Sequence, residues 1–308
     1  MMLESFGKTI TALGHTNPNL YIVSADLASS LRLLDFKKTF PSRFIEVGVA
    51  EANMAGVAAG LAASGKTVFI TSFAAFSPAI NWNTIRQSIC YNNLNVKIVG
   101  SHAGLAATDL GATHQMTEDI ALTSTLPNMQ VFAPVDGIEL EKMLQVLATT
   151  KTPAYIRLVR GETPDIFPKK MSFTIGKSHI LQKGSKLTVL GYGPILELTQ
   201  SLVTKNPMWE DYLEVINVSS IKPLDTSTIL SSVAKTGRVI VLEDHQCIGG
   251  LGQILSALFL ENNSHPSFIH LGINNRFGQS GRSRFELWDE YGIGQKDLEQ
   301  AVKKLLRS

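Results

Sequence analysis

R-F-I-E-V-G-V-A-E-A-N-M-A-G-V-A-A-G-L-A-A-S-G-K-T-V-F-I-T-S-F-A-A-F, Arg43 to Phe76, decides the fold class of this chain. Its middle, rich in Ala and Gly, reads as a helix with Glu51 in the first turn and a stop at Gly65. A β-run, Thr67 to Thr71, follows at once and delivers Phe73 and Phe76. The segment therefore sets one carboxylate against an aromatic pair downstream. An isolated Glu in a first turn ordinarily complements the helix dipole, and two Phe ordinarily fill a core. The residues around them decide whether more is meant.

Outward from this segment, short β-branched runs alternate with amphipathic or Ala-rich stretches: Tyr21 to Val23, Val68 to Ile70, Val96 to Val99, Val131-Phe132 and Ala154 to Leu158. That alternation indicates a parallel α/β sheet. The pattern lapses between Arg160 and Gly176, where Gly161, Pro164 and Pro168 break it. A second, smaller α/β unit follows, with expected strands Leu187 to Leu190, Val215 to Val218, Val239 to Glu243 and Phe268 to Leu271. Its helices are expected near Pro194 to Thr204, Asp225 to Ala234, Gly252 to Phe259 and Gln295 to Leu306. The expected organisation is a first domain over 1–162, a linker over 163–180 and a second domain over 181–308.

The 308 residues carry a formal charge of +2 with 44% hydrophobic content, enough apolar material for two cores. The surplus positive charge is spread rather than clustered, which gives nucleic acid or a membrane surface little to bind and leaves small anionic substrates open. Cys90 and Cys247 form no C-x-x-C pair and read as reduced thiols, with no cysteine-based zinc site. Neither a leader pattern nor a membrane-length apolar run is seen, so the expected location is the cytoplasm.

Open parallel sheets bind ligands beyond the carboxyl ends of their strands, so the loops there are the places to look for chemistry. S-A-D-L-A-S-S, Ser24 to Ser30, offers Asp26 and Ser30, or else an ordinary helix N-cap. S-H-A-G-L-A-A-T-D-L-G-A-T-H-Q, Ser101 to Gln115, carries His102 and His114 at its two ends, with Gly104 and Gly111 allowing a tight path. Two His in such a loop suit proton transfer and anion binding, and a structural role equally; a zinc site would need more ligands. Arg160, ending L-V-R, is placed for a bidentate anion contact or a surface ion pair.

Taken in order, S-A-D-L-A-S-S, G-V-A-E-A-N-M, T-S-F-A-A-F, S-H-A-G to A-T-H-Q, A-P-V-D-G, L-V-R-G and H-Q-C-I-G-G-L-G resemble the pyrimidine-binding and C-terminal domains of transketolase, from about Leu3 to Leu306. The resemblance is to the separate C-terminal subunit of a split transketolase. It implies thiamine diphosphate as cofactor, with Glu51 hydrogen-bonding N1′ of the aminopyrimidine and so favouring formation of the nucleophilic ylide. It makes Phe73 and Phe76 the walls around that ring, Asp26 a further cofactor contact, and His114 the group facing the reacting carbons. The G-D-G…Asn signature for magnesium and diphosphate is absent. The resemblance thus implies that a second chain carries the Mg2+ ligands, in an α2β2 heterotetramer. The Ala and Gly faces of Ala50 to Ala63 suit such an interface or a tight internal contact equally, and the C-terminal domain is assigned to assembly.

The family moves a two-carbon ketol unit between sugars and holds the distal phosphate with a Ser, a His and two Arg. Ser30, His102 and Arg160 match three of these; the fourth falls at Leu3. In the histidine loop an acidic pair has become Asp109-Leu110, so the second carboxylate, which contacts the acceptor's 2-hydroxyl, is lost unless Asp109 takes over. Both departures suggest an acceptor or donor with an anionic tail and no hydroxyl-bearing stereocentre at that position, such as sulfoacetaldehyde from a sulfosugar or dihydroxyacetone phosphate from an apulose phosphate. Competing expectations are a deoxyxylulose-phosphate synthase-like enzyme, a 2-oxoacid dehydrogenase β subunit, or a non-catalytic partner subunit.

Overall fold

The structure, a computed structural model, describes residues 1–307. The strands are β1 (Leu20–Ser24), β2 (Phe44–Glu46), β3 (Thr67–Phe73), β4 (Val96–Ser101), β5 (Gln130–Phe132), β6 (Ala154–Arg157), β7 (His179–Gln182), β8 (Leu187–Gly191), β9 (Leu213–Asn217), β10 (Ser220–Lys222), β11 (Arg238–Gln246) and β12 (Ser267–Ile273). They form a seven-stranded sheet in the order β10-β5-β6-β4-β3-β1-β2 and a five-stranded sheet in the order β12-β11-β8-β9-β7. All pairings are parallel except β10 on β5 and β7 on β9, one antiparallel strand at an edge of each sheet. A mixed, largely parallel two-sheet α/β fold is the result. Among the described residues no helix is long and apolar enough to cross a membrane.

Both faces of the first sheet are covered, which is why its strands read as continuous apolar runs. Along β3, Val68 and Ile70 enter a cluster with Met54, Ala55 and Ala58 of the helix Glu51–Ala63. Phe69, pointing the other way, packs with Phe6, Ile10 and Leu144 of the helices Met2–Thr16 and Gly137–Leu147. The first cluster also takes in Val241 and Leu255, so the two sheets share apolar interior. A third cluster around Val189, Leu242, Trp288 and Val302 is the second sheet's own core.

The register places the carboxyl ends of β1, β3, β4 and β6 side by side, since Ser24 pairs with Thr71, Phe73 with Ser101 and Gly100 with Arg157. Every loop singled out in the sequence leaves from this edge.

Polar groups stitch the two halves. Asp136 caps the helix Gly137–Leu147 through Glu139 N at 2.7 Å and also accepts from Ile166 N and Phe167 N at 2.7 and 2.8 Å. Glu139, fully buried, accepts from Val135 N at 2.7 Å and, across the domains, from Ser219 Oγ at 2.6 Å and Asn217 Nδ2 at 2.9 Å. Burial, with Asp136 nearby, pushes its carboxyl from 4.5 up to about 7 against the pull of those three donors. A carboxyl raised on folding contributes stability that is full below its unfolded value and is lost as pH rises through the folded one. Glu139→Gln is therefore expected to gain on the wild type between pH 4.5 and 7 by up to about 3 kcal/mol and to level off above, in urea denaturation run at a series of pH values. A pH-independent difference between the two proteins would contradict this.

Candidate functional site

Glu51 opens its helix with a side chain only 6% exposed. Ser72 Oγ donates to its Oε1 at 3.3 Å, and Asn81 Nδ2 holds its backbone oxygen at 3.1 Å. Among the described residues no other side chain hydrogen-bonds this carboxylate and no cation pairs with it. A buried carboxylate with spare acceptor capacity calls for a donor from a ligand. Phe73 ends β3, and the turn after it, with Ser77 N donating to Phe73 O at 2.8 Å, brings Phe76 back. The two rings lie 5.9 Å apart and 22° from parallel, and both are half-buried. These residues fit a flat, nitrogen-bearing aromatic ring whose protonated nitrogen meets Glu51.

The histidine loop closes on the same rings. His102 lies 3.9 Å from Phe73, and His114 stands edge-on to Phe76 at 5.3 Å. His102 is 5% exposed with a left-handed backbone (φ 59°). Ser101 Oγ donates to Ser72 O at 3.2 Å, which spends its proton, so His102 Nδ1–H donates to Ser101 Oγ at 3.0 Å and Nε2 is left as an acceptor. Burial, then the neighbouring Arg160, pulls His102 from 6.5 down to about 4, so it is neutral at pH 7. His114 Nδ1 bonds Thr113 Oγ1 at 2.9 Å.

A cleft of about 420 Å³ is lined by Ser30, Phe73, His102, Asp109, Leu110, His114 and Arg160, together with Leu3. Of the residues marked out in the sequence, Glu51, Phe76 and Asp26 are not among its lining. Asp26 has φ 59°, is exposed, and donates its N–H to Glu46 Oε1 at 2.7 Å. No helix starts in Ser24 to Ser30, so the N-cap alternative for that loop does not apply. Asp109 and Arg160 form an exposed ion pair. Asp109's carboxylate is thus engaged, and Leu110 beside it offers nothing polar.

Sequence reading missed Arg32 and Met1 in this cleft, and Glu4, which holds Arg32 by an ion pair of 2.6 Å. An Arg two residues past Ser30 was the available signal. It also missed the groups that position the histidine loop. Leu105 N donates to Asp244 of β11 at 3.1 Å, and a Cβ on Gly104 would fall 2.3 Å from that carboxylate. Among the described residues no three His, Cys, Asp or Glu side chains gather in a way that could hold a metal ion.

Comparison with known proteins identifies the family. Residues 1–165 match the transketolase pyrimidine-binding domain family and residues 176–298 the transketolase C-terminal domain family. The chain is 35% identical to a 6-deoxy-6-sulfo-D-fructose transketolase subunit of Clostridium sp., over 92% of this chain and 87% of that one. It is 33% identical to an apulose-4-phosphate transketolase subunit of Phocaeicola vulgatus, over 88% of this chain and 93% of that one. A solved split-gene transketolase, described as an inactive β4 tetramer, superposes with a TM-score of 0.89 at 36% identity, covering 99% of this chain and 97% of the other. The chain belongs to the transketolase family and is similar over nearly its whole length to the C-terminal subunits of its split members.

Proposed function

We propose that this chain is the C-terminal subunit of a thiamine diphosphate-dependent split transketolase that transfers a two-carbon ketol unit to an aldehyde or aldose with an anionic tail. The carrying observation is the buried Glu51 carboxylate with unused acceptor capacity beside the stacked Phe73 and Phe76. Residues 1–162 act as the pyrimidine-binding domain, 163–180 as the linker and 181–308 as the C-terminal domain. Bound there, thiamine diphosphate supplies a nucleophilic thiazolium carbon that breaks and forms the carbon–carbon bond beside a carbonyl. Glu51 holds a proton at the pyrimidine ring nitrogen, and the Phe pair excludes water so that this contact is strong. His114, against Phe76, moves protons on the sugar oxygens next to the reacting carbon. Arg160 and Ser30 bind the tail, with His102 as a neutral hydrogen-bonding partner.

A second, diphosphate-binding chain completes the site and brings the Mg2+ ligands, in an α2β2 complex in the cytoplasm. One face of the Glu51–Ala63 helix supports this reading. Ala55, Ala58 and Ala62 turn inward, whereas nothing lies within 4 Å of a Cβ built on Gly56 or Gly60. Val49, two residues before Glu51, is 78% exposed, and Ile80, next to Asn81, is 64% exposed. An apolar rim around a catalytic carboxylate is what a partner chain would cover.

The substrate's middle meets Leu110, which offers a hydroxyl no polar partner. That favours an aldehyde or ketone without a hydroxyl-bearing stereocentre at that position, and relatives named for a sulfofructose and for apulose 4-phosphate fit the same choice.

Reconstituted with a diphosphate-domain subunit, cofactor and Mg2+, Glu51→Gln is expected to lose roughly 100-fold or more in kcat at saturating cofactor; unchanged transfer would end the catalytic assignment. The wild-type complex should prefer sulfoacetaldehyde or dihydroxyacetone phosphate to ribose 5-phosphate by about tenfold or more in kcat/KM. Equal rates would mean that Leu110 is merely tolerated. NMR titration of the free chain should find His102 singly protonated from pH 8 down to pH 5; a doubly protonated ring at pH 6 would remove its neutral role.

A further inference from the structure

Leu3 leaves the cleft without the guanidinium that the family's phosphate site has there, yet a second guanidinium lines the same space. Arg32 sits two residues beyond Ser30, in a cleft that also holds Arg160, His102 and Leu3. We propose that Arg32 is a specificity-determining residue of this chain, the second guanidinium for a tetrahedral oxyanion, phosphate ester or sulfonate, at the substrate's far end. The inference rests on the transketolase reading for the identity of the ligand and on the geometry below for the residue.

Arg32 is held in place. Its φ of 59° is a left-handed conformation that a residue with a long side chain adopts rarely. The turn is closed by Arg32 N donating to Ser29 O at 3.1 Å and Leu33 N to Ala28 O at 2.8 Å. The helix Met2–Thr16 presses on it at Gly7, where a Cβ would lie 2.1 Å from Arg32 O. A loop needing only solubility at this position has no reason to strain an arginine into it.

The charges agree. Arg32 and Arg160 are the two arginines of the cleft, and each is balanced by a partly exposed carboxylate, Glu4 at 2.6 Å and Asp109. Exposed pairs of this kind are weak, and a tetrahedral oxyanion whose three oxygens serve both guanidinium groups at once displaces such partners. Glu4 and Asp109 are then placeholders that keep the arginines oriented until the tail arrives. His102 is uncharged at neutral pH, so it adds no fixed positive charge.

The test uses four proteins: wild type, Arg32→Asn, whose side chain tolerates the left-handed backbone, Arg32→Lys and Glu4→Gln. Binding of inorganic phosphate and sulfate to the full chain by calorimetry should weaken about tenfold in Arg32→Asn, recover partly in Arg32→Lys, and tighten in Glu4→Gln, where the competitor is gone. In the reconstituted complex, Arg32→Asn should raise KM about tenfold for ribose 5-phosphate or sulfoacetaldehyde with kcat within twofold, and leave the neutral acceptor glycolaldehyde unaffected. The phosphorylated and sulfonated arms identify which oxyanion the site prefers. Unchanged anion binding in Arg32→Asn and Glu4→Gln, or equal losses for charged and neutral acceptors, overturns the assignment. A complex that transfers no ketol group while Arg32 still governs phosphate binding overturns the proposed activity and upholds the anion site.

Discussion

The guanidinium of Arg157 is the joint on which the site depends. It ends β6 with 2% exposure, donates Nε to Asp119 at 2.9 Å and Nη2 to the backbone oxygen of Asp244 at 2.7 Å. Asp119 also takes Tyr155 OH at 2.7 Å. Burial by itself lowers the hold of Arg157 on its proton, but Asp119 above all, with Tyr192 and Asp244, more than reverses that. One cation thus ties the end of a first-sheet strand, the helix Asp119–Ser124 and a second-sheet strand together. Removing one member of such a buried pair costs about 3–5 kcal/mol, because the charge left behind has no water to turn to.

The histidine loop hangs from that joint. Asp244, fixed by its backbone contact to Arg157, presents its carboxylate to Leu105 N at 3.1 Å. Gly104, with φ 70°, is the residue that lets the chain pass so close. At the far end Gln115 Nε2 donates to Gln279 O at 3.0 Å, and Gly281 N donates to Thr108 O at 2.9 Å. Both anchors are supplied by the second domain. That domain, assigned to assembly on sequence grounds, is also the template for the loop that carries His102 and His114. Its contribution to the candidate site is made by holding backbone.

Which parts were legible follows from where their information lies. Central strands such as β3 and β8 are buried on both faces, so their apolar runs announce them. β2, β7 and β10 went unread because three- or four-residue edge strands have no periodicity, and two of the three pair antiparallel through tertiary contact alone. β10 in particular leaves the second half of the chain to edge the first sheet, anchored by Lys222 Nζ on Ser124 O and Leu126 O at 2.8 and 2.6 Å. In the site, Ser30, His102, His114 and Arg160 were visible because their residue types carry chemistry, and the structure does gather them. Arg32 was not, since nothing in a linear string says that Gly7, 25 positions earlier, lets a helix close over it. Asp26, also chosen for its residue type, is exposed and lies outside the cleft, held by its N–H on Glu46.

The charge arrangement bears on how the cleft would choose among anions. Each arginine already has a carboxylate, and His102 is neutral, so no strong field draws every anion in. On the proposed reading selectivity would come instead from exchange: a ligand must offer both guanidinium groups more than Glu4 and Asp109 do, which a tetrahedral oxyanion with three oxygens can do and a two-oxygen carboxylate cannot. Leu110 and the Phe73 ring line the same cleft and offer a hydroxyl no hydrogen-bonding partner. On the proposed reading, recognition would be concentrated at the two ends of the substrate. The middle is read by what it lacks.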